Sequence, residues 1–257
     1  MSIAKVARFY REYGLVRTIS KTARQGKRAL SNLSKLKVRT CKVCERLSIF
    51  LRTYDTQEAE CCIRCGANLR YEMLAQLIRS EFGDELQSMN VMDLDPSSPL
   101  RHILGNAASC VRTYYKPGAE FGSTRAIDGA QAEDITCLTL ASESLDLIVS
   151  SDVLEHVPDL RRAFTESARV LRPGGMHLFT VPVSRVTERR AILADTGIQY
   201  LLLAEYHLDP LDPNGILAFW NVGFDLPEVM ADVGLVISIA MGPLGEDGRI
   251  VWKAMRP

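Results

Sequence analysis

The stretch that decides the fold is SSDVLEHVPDLRRAFTESARVLRPGGMHLFTVP, from Ser150 to Pro182. It continues the apolar run LDLIVSS (residues 145–151), which is typical of a strand buried on both faces of a parallel sheet. Asp159 can cap a helix over DLRRAFTESARVL, because apolar residues recur on one face of that segment. Pro-Gly-Gly then separates the helix from a second strand, MHLFTVP. Strand, helix and strand in this order predict a βαβ unit.

The same alternation of strands and helices continues on both sides of this block. Strands are predicted at SMNVMDLD, SCVRTYY, LVISIAMGP and RIVWKAMR, and helices at residues 70–86, at PLRHILGNA and at LPEVMADVG, which Gly234 should end. The last two strands are joined by a short turn and should form a hairpin. The sequence therefore predicts an α/β fold with a mostly parallel sheet and one antiparallel edge.

The composition is that of a soluble globular protein, with 47% hydrophobic and 24% charged residues. No apolar run has the length of a membrane span, so we expect no transmembrane segment. The N-terminus has neither the apolar core nor the cleavage site of a secretory signal. These features predict a cytoplasmic protein, either free or peripheral at a membrane.

A formal net charge of zero conceals a strongly basic N-terminus. Residues 1–40 hold eleven Lys or Arg residues and one acid, Glu12. Residues 1–38 have the pattern of one or two basic helices. A basic arm on an acidic body predicts a polyanionic partner, either RNA or an anionic membrane surface. The alternative is a solvated helical arm that only keeps the protein soluble.

Five of the seven cysteines fall in one short segment, which we assign to a zinc ribbon at residues 39–69. Two Cys-x-x-C knuckles separated by 17 residues supply the four predicted ligands Cys41, Cys44, Cys62 and Cys65. This spacing is typical of a closed, structural Zn²⁺ site. Cys61 adjoins Cys62 and could replace it, but Cys62 keeps the knuckle spacing. Gly66 permits the positive φ that follows such a knuckle.

The segment LDLIVSSDVLEHVPDLRRAFTESARVLRPGGMHLFTVP closely resembles the central block of class I S-adenosylmethionine-dependent methyltransferases. That family has a strand and loop of the form FD-hhh-DVLEHV-D, a helix ending in RVLKPGG and a strand ending in Pro. The matching residues here are Leu145-Asp146, Ser151 to Val157, Asp159, Arg169 to Gly175 and Pro182. The resemblance covers roughly residues 86–257. It implies a Rossmann-like sheet of seven strands and S-adenosylmethionine as cofactor.

The first loop of the resembling domain departs from the family pattern. Relatives carry D-h-G-x-G-x-G after the first strand, whereas this chain has VMDLDPSSP at residues 91–99. Asp93 matches the acidic position, and Asp95, Ser97 and Ser98 replace the glycines. The resemblance makes Asp93, Asp95 and Ser97 candidate cofactor-binding residues. Two interpretations stay open: a working enzyme with hydroxyls in place of glycines, or an inactive methyltransferase fold kept as a binding scaffold.

The remaining cofactor positions agree in part with the family. An acid usually ends the second strand, but here that strand ends in Tyr114-Tyr115 and the next acid is Glu120. Near the expected adenine position, Glu133 and Asp134 match the family's Glu-Asp pair. After LDLIVSS, the loop that begins with Asp152 and Val153 should border the cofactor. These residues complete the predicted cofactor site.

Candidate catalytic residues lie in two segments. His156 or Asp152 could take a proton from an acceptor hydroxyl. Alternatively, Asp152 caps the following helix and His156 packs against the end of the sheet. The long segment 184–222, interpreted as an irregular insertion, carries His207 and Asp209 as candidate acceptor-site residues. The alternative for these is a simple turn, because Asp-Pro pairs favour turns.

We therefore predict three parts: a basic arm (residues 1–38), a zinc ribbon (39–69) and a methyltransferase-like domain (70–257). The first hypothesis for function is methyl transfer to a glycan or another small-molecule acceptor, at oxygen. The second is an RNA methyltransferase that uses the ribbon and arm to bind RNA. The third is a catalytically inactive scaffold.

Overall fold

The computed structural model describes residues 36–52, 59–207, 215–245 and 248–257. The basic helices predicted for residues 1–38 lie outside the described residues, except for the last three positions. The strands are, in chain order, β1 (Lys37–Thr40), β2 (Leu47–Arg52), β3 (Glu60–Cys62), β4 (Asn90–Asp93), β5 (Ser109–Tyr114), β6 (Gln131–Ala132), β7 (Leu145–Ser151), β8 (Leu171–Thr180), β9 (Val183–Ser184), β10 (Glu188–Arg189), β11 (Ala191–Ala194), β12 (Gly197–Tyr200), β13 (Tyr206–His207), β14 (Ile216–Leu217), β15 (Trp220–Gly223), β16 (Val236–Leu244) and β17 (Arg249–Met255). The helices are α1 (Leu69–Phe82), α2 (Arg101–Leu104), α3 (Leu160–Val170) and α4 (Leu226–Val229), with 3-10 turns at Gly83–Ser88 and Leu154–His156.

The central sheet has seven strands in the order β16-β17-β8-β7-β4-β5-β6. Strands β4 to β8 are parallel, whereas β17 runs antiparallel to β8 and pairs with β16 in the closing hairpin. The predicted Rossmann-like sheet with an antiparallel edge is confirmed. Strand order changes direction at the neighbouring strands β4 and β7. In open α/β sheets such a switch point forms the ligand crevice beyond the carboxyl ends of the strands.

Helix α3 forms as its sequence predicts. The Asp159 side chain accepts a hydrogen bond from the Arg162 backbone N at 3.0 Å, which caps the helix. Its apolar face is buried through Leu160, Ala163 and Phe164. Strand β8 begins immediately at Leu171 and includes the Pro-Gly-Gly segment, because its first residue already pairs with β7.

The predicted helix LPEVMADVG is much shorter in the structure. Helix α4 ends at Val229 rather than at Gly234. The backbone N of Met230 bonds the carbonyls of Leu226 and Glu228, and turns follow. Pro227 favours the start of a helix, but one turn is all that forms.

Strands β1, β2 and β3 form a small antiparallel sheet that carries the cysteine knuckles. The first of these strands begins at Lys37, within the segment predicted as arm. Val43 and Phe50 of this sheet belong to the same apolar core as Leu74 of α1 and Leu147 and Val251 of the central sheet. The ribbon is therefore packed on the main domain through α1.

The segment 184–222, interpreted from the sequence as irregular, contains short strands in its described parts. Strands β9 and β10 both pair with β15, β11 with β12, and β13 with β14. Because each strand is two to four residues long, none has the run of alternating residues that makes a strand visible in a sequence. In the described parts of the chain, every helix is too short or too polar to cross a membrane.

Candidate functional site

The carboxyl end of β4 carries an acidic pair. Asp93 is buried, and its Oδ1 accepts a hydrogen bond from the Asp95 backbone N at 3.2 Å, while its Oδ2 has no hydrogen-bond partner among the described residues. Burial raises the pKa of Asp93 to about 7. A buried acceptor without a donor is costly to a fold. This oxygen is therefore available to a ligand group that carries a donor or a positive charge.

The glycine-free loop folds by using its own polar groups. The Ser97 backbone N donates to Asp95 Oδ1 at 2.7 Å, and the Leu100 backbone N donates to Ser98 Oγ at 3.1 Å. Asx and Ser turns of this kind replace the positive φ angles that glycines provide. The Ser97 amide and the Ser98 hydroxyl are thus committed within the loop. What this loop offers outward is carboxylate oxygen rather than a row of backbone N–H groups.

The first turn of α1 reaches both sides of the switch point. The Tyr71 hydroxyl donates to Asp95 Oδ2 at 2.7 Å, at the end of β4. The neighbouring Arg70 guanidinium forms an ion pair with Asp152, which directly follows β7. Neither residue was predicted from the sequence, because Arg70 lies 82 positions and Tyr71 lies 24 positions from its partner along the chain.

Asp152 has a positive φ of 51° and two cationic neighbours. Besides Arg70, the Nη1 of Arg249 on β17 lies 3.3 Å from both carboxylate oxygens. The Thr180 hydroxyl donates to Asp152 Oδ1 at 3.0 Å. Because these partners stabilise the charged carboxylate, the geometry favours Asp152 as an anchor for Arg70. Its predicted catalytic role stays a prediction, as does the cofactor contact of the partly exposed Val153.

The predicted adenine-side acids are engaged in local hydrogen bonds. Glu133 is buried, and its Oε2 accepts from the Thr139 backbone N at 2.9 Å. Asp134 Oδ1 accepts from the backbone N and the hydroxyl of Thr136, at 2.8 and 2.7 Å. Both acids shape the loop after β6. Nearby, the exposed ring of Tyr115 stacks on Phe121, with ring centroids 6.3 Å apart.

A cavity of about 230 Å³ lies between the loop after β7 and the short strands of residues 183–223. Its lining is polar and includes Glu155, Ser184, Arg190, Glu205, His207 and Trp220. Arg190 is held in place by Glu205 at 3.0 Å and by Asn221 Oδ1 at 2.8 Å. The structure thus places His207 at a cavity, as a candidate acceptor site requires. Asp209 lies outside the described residues.

His156 packs against His207, which lines the cavity, although 51 positions separate the two histidines. Their rings are edge to face with centroids 4.8 Å apart. Both rings lie beside the carboxylate of Glu155, a residue that is only 1% exposed. This burial raises the pKa of Glu155. The negative charge of Glu155 in turn raises the pKa of His207. Glu155 stands inside the DVLEHV segment, so the clue to it was its place between Asp152 and His156.

The four predicted zinc ligands come together at the edge of the small sheet. The Sγ atoms of these four residues, Cys41, Cys44, Cys62 and Cys65, all lie within 4.8 Å of one another. Cys61 does not belong to this group. The two knuckles close in the same way: the Glu45 backbone N donates to the Cys41 carbonyl at 2.9 Å, and the Gly66 backbone N donates to the Cys62 carbonyl at 2.8 Å. This donor set of four sulfurs suits Zn²⁺.

Comparison with known proteins gives short or distant likenesses. A ubiquinone biosynthesis O-methyltransferase of Coxiella burnetii is 38% identical over 50 residues, which are 20% of this chain and 21% of that protein. The chain therefore matches only about a fifth of the length of this curated relative.

Solved methyltransferases are similar at low identity. An S-adenosylmethionine-dependent methyltransferase from Mesorhizobium loti is 15% identical, with 71% of this chain and 97% of that chain covered and a TM-score of 0.44. The 1,6-didemethyltoxoflavin-N1-methyltransferase of Burkholderia thailandensis, solved with S-adenosylhomocysteine, is 11% identical, with 73% and 78% covered and a TM-score of 0.46. Residues 85–179, which hold β4 to β7, most of β8 and the DVLEHV segment, match the family model of the methyltransferase domain.

Proposed function

We propose that the chain is an S-adenosylmethionine-dependent methyltransferase that modifies an oxygen atom of a small-molecule acceptor, a glycan being one candidate. The single observation that carries the proposal is the buried Asp93 carboxylate at the switch point, beside the Ser98 hydroxyl, with an Oδ2 that has no hydrogen-bond partner among the described residues. The match of residues 85–179 to the methyltransferase domain supports the reaction class. The short likeness to an O-methyltransferase supports oxygen as the methylated atom.

The polar groups of the site fit the two ends of the cofactor's amino-acid portion. Asp93 Oδ2 can accept from an ammonium group, which would supply the positive charge that this buried oxygen lacks. Arg70, held by Asp152, can face a carboxylate. Tyr71 holds Asp95 in place from the other side. Carboxylates would therefore bind the amino-acid portion of the cofactor here, where the resembling enzymes use the backbone of a glycine-rich loop.

The cofactor supplies a methyl group on a positively charged sulfur, which leaves as a neutral thioether. The protein must hold the acceptor oxygen in line with that group and receive the proton of the acceptor. His156, which contacts the cavity-lining His207, is our candidate to receive this proton, because its Nδ1 donates to the Leu217 carbonyl at 2.8 Å and the lone pair of a neutral ring is then on Nε2. A cavity of about 230 Å³ suits an acceptor of roughly one ring.

We also propose that Cys41, Cys44, Cys62 and Cys65 bind one structural Zn²⁺ ion. The support is the grouping of the four sulfurs and their burial, three of the four residues being buried. Four thiolates leave no open coordination position, so the ion would stabilise the ribbon and take no part in the reaction.

Calorimetric titration of the zinc-loaded full chain with S-adenosylmethionine and S-adenosylhomocysteine tests the proposal. We expect micromolar binding, weakened at least about tenfold by Asp93→Asn, which equals about 1.4 kcal/mol. The matched control is Asp84→Asn, an exposed acid on the turn after α1, which should leave binding unchanged. A folded protein that binds neither compound would overturn the proposal and favour the scaffold hypothesis.

The nature of the acceptor is tested separately. Removal of residues 1–35 should leave cofactor binding intact if the acceptor is a small molecule. Strong, salt-dependent RNA binding that is lost with those residues would favour the RNA methyltransferase instead.

A further inference from the structure

The cavity beside the loop after β7 contains a second group of metal-ligand side chains. Glu155, His156 and His207 each offer one ligand atom, and these atoms lie within 4.8 Å of one another. Two of the three residues come from the 3-10 turn after β7, and the third comes from strand β13. They share no sulfur, so this group differs in chemistry from the cysteine cluster.

The carboxylate of Glu155 is the central observation. It is 1% exposed, and neither of its side-chain oxygens has a hydrogen-bond partner in the described part of the chain. The nearest nitrogens, His207 Nδ1 at 3.5 Å and His156 Nε2 at 3.7 Å, are beyond hydrogen-bond distance. A buried carboxylate without donors is expensive unless it has a counter-ion. Among the described residues its ion-pair partners are these two imidazoles, which carry charge only when protonated, so a bound cation would complete its environment.

Both imidazoles are oriented so that a free nitrogen faces this carboxylate. His156 Nδ1 lies 2.8 Å from the Leu217 carbonyl, which can only accept, so Nδ1 carries the proton and Nε2 is free. His207 Nε2 lies 3.2 Å from Glu205 Oε1, so a neutral ring that donates its proton there turns the Nδ1 lone pair toward Glu155. In metal sites, a ligating histidine characteristically donates its other N–H to a carbonyl or a carboxylate.

We propose that Glu155, His156 and His207 bind one divalent transition-metal ion, of the Mn²⁺, Fe²⁺ or Zn²⁺ class. Two imidazoles and one carboxylate leave open coordination positions. Glu155 and His207 line the cavity, so these positions face the space assigned to the acceptor. The bound ion would hold an acceptor hydroxyl and lower its pKa, so that the proton passes to solvent, a role that rests on the proposed function. The Nε2 lone pair of His156 would then be a ligand, and His156 would not act as the base. The preferred acceptor would then carry adjacent oxygens that can chelate the ion.

Mn²⁺ binding to the zinc-loaded full chain tests the site, because thiolates are poor ligands for Mn²⁺ and the ribbon stays occupied. The electron paramagnetic resonance signal of free Mn²⁺ gives the bound fraction. We expect the chain to bind one equivalent of Mn²⁺. The affinity for Mn²⁺ should fall by more than about 100-fold in Glu155→Gln and in His207→Ala, and by about tenfold in Glu205→Gln. The control His102→Ala changes a histidine outside the cluster and should leave Mn²⁺ binding unchanged.

Two results would overturn the proposal. One is a folded protein that binds no Mn²⁺ at millimolar concentration and retains only one equivalent of Zn²⁺. The other is Mn²⁺ binding that survives both Glu155→Gln and His207→Ala. The calorimetric titration with S-adenosylmethionine separates this inference from the proposed function. Cofactor binding with neither Mn²⁺ binding nor a second equivalent of Zn²⁺ rejects the metal site alone, whereas Mn²⁺ binding without cofactor binding rejects the methyltransferase alone.

Discussion

The two groups of metal-ligand side chains are built in opposite ways. In the cysteine cluster, each pair of ligands sits on one turn, closed by a backbone hydrogen bond from residue 45 or 66 to the first cysteine of its knuckle. In the group of Glu155, His156 and His207, the third ligand comes from a distant strand of an insertion. The first group lies in the core of the ribbon, whereas two members of the second, Glu155 and His207, line a cavity.

This difference separates a site that supports the fold from a site that costs stability. Cys41, Cys62 and Cys65 are part of a continuous apolar core, so loss of the proposed metal would loosen the packing around them. Glu155 instead brings into the interior a carboxylate that has no hydrogen-bond donor within the described ranges. Residues that burden a fold in this way characteristically serve function.

The largest effect is expected from breaking the cysteine cluster. Cys62→Ser should lower the free energy of unfolding by more than about 4 kcal/mol, because a structural metal carries much of the stability of a small ribbon. Urea unfolding and metal analysis would measure both the stability and the zinc content. Cys61→Ser is the matched control and should retain the zinc and lose less than about 1 kcal/mol. Equal effects of the two variants would contradict the ligand assignment.

An intermediate effect of opposite sign is expected from Glu155→Gln. In metal-free buffer this variant should raise the free energy of unfolding by about 1–2 kcal/mol, because a neutral amide is cheaper to bury than an unpartnered carboxylate. Urea unfolding would measure this change, in the presence of a chelator too weak to remove the proposed zinc from the ribbon. Glu205→Gln, at a half-exposed position, should change stability by less than about 0.5 kcal/mol. A destabilised Glu155→Gln would mean that the carboxylate already has the partners it needs.

The smallest effect concerns a histidine outside both groups. Burial lowers the pKa of His177 to about 3, and its ring nitrogens lie 2.9 Å from Ser150 Oγ and 3.3 Å from Ser167 Oγ. Below its unfolded pKa of about 6.5, only the unfolded state takes up the proton, so stability falls as the pH falls. When the pH falls from about 7.5 to about 5.5, the free energy of unfolding should decrease by about 1 kcal/mol less for His177→Gln than for the unmodified protein. Urea unfolding at the two pH values would measure this difference. Identical pH dependence of the two proteins would show that His177 does not remain neutral.

Much of the fold could be predicted because it depends on local patterns. The buried run of β7, the cap at Asp159 and the closing hairpin are each contained in a few consecutive residues. The spacing of the cysteines likewise predicted Cys62, rather than Cys61, as the third metal ligand, and Cys62 is the one grouped with the other three cysteines. Local pattern failed where tertiary packing decides, as in α4, which ends five residues before Gly234.

The candidate site was predictable only in part. The DVLEHV segment pointed to Asp152 and His156, but their partners Arg70, Arg249 and Leu217 lie far away in the chain. Contacts of this kind depend on how the insertion and α1 pack on the sheet, and no residue spacing encodes them. Glu155 was within the decisive segment, yet only its burial reveals that it lacks donors.

The first turn of α1 joins the ribbon to the switch point of the sheet. Glu72 accepts hydrogen bonds from the Arg39 guanidinium at 2.7 Å and from the Lys42 backbone N at 2.8 Å, beside the first knuckle. The two preceding residues, Arg70 and Tyr71, contact the ends of β7 and β4. If both proposals hold, binding of metal at the ribbon and of cofactor at the crevice would be thermodynamically linked, each ligand changing the affinity for the other by the same factor. Removal of the proposed zinc would then change the affinity for the cofactor without any change in the residues of the crevice.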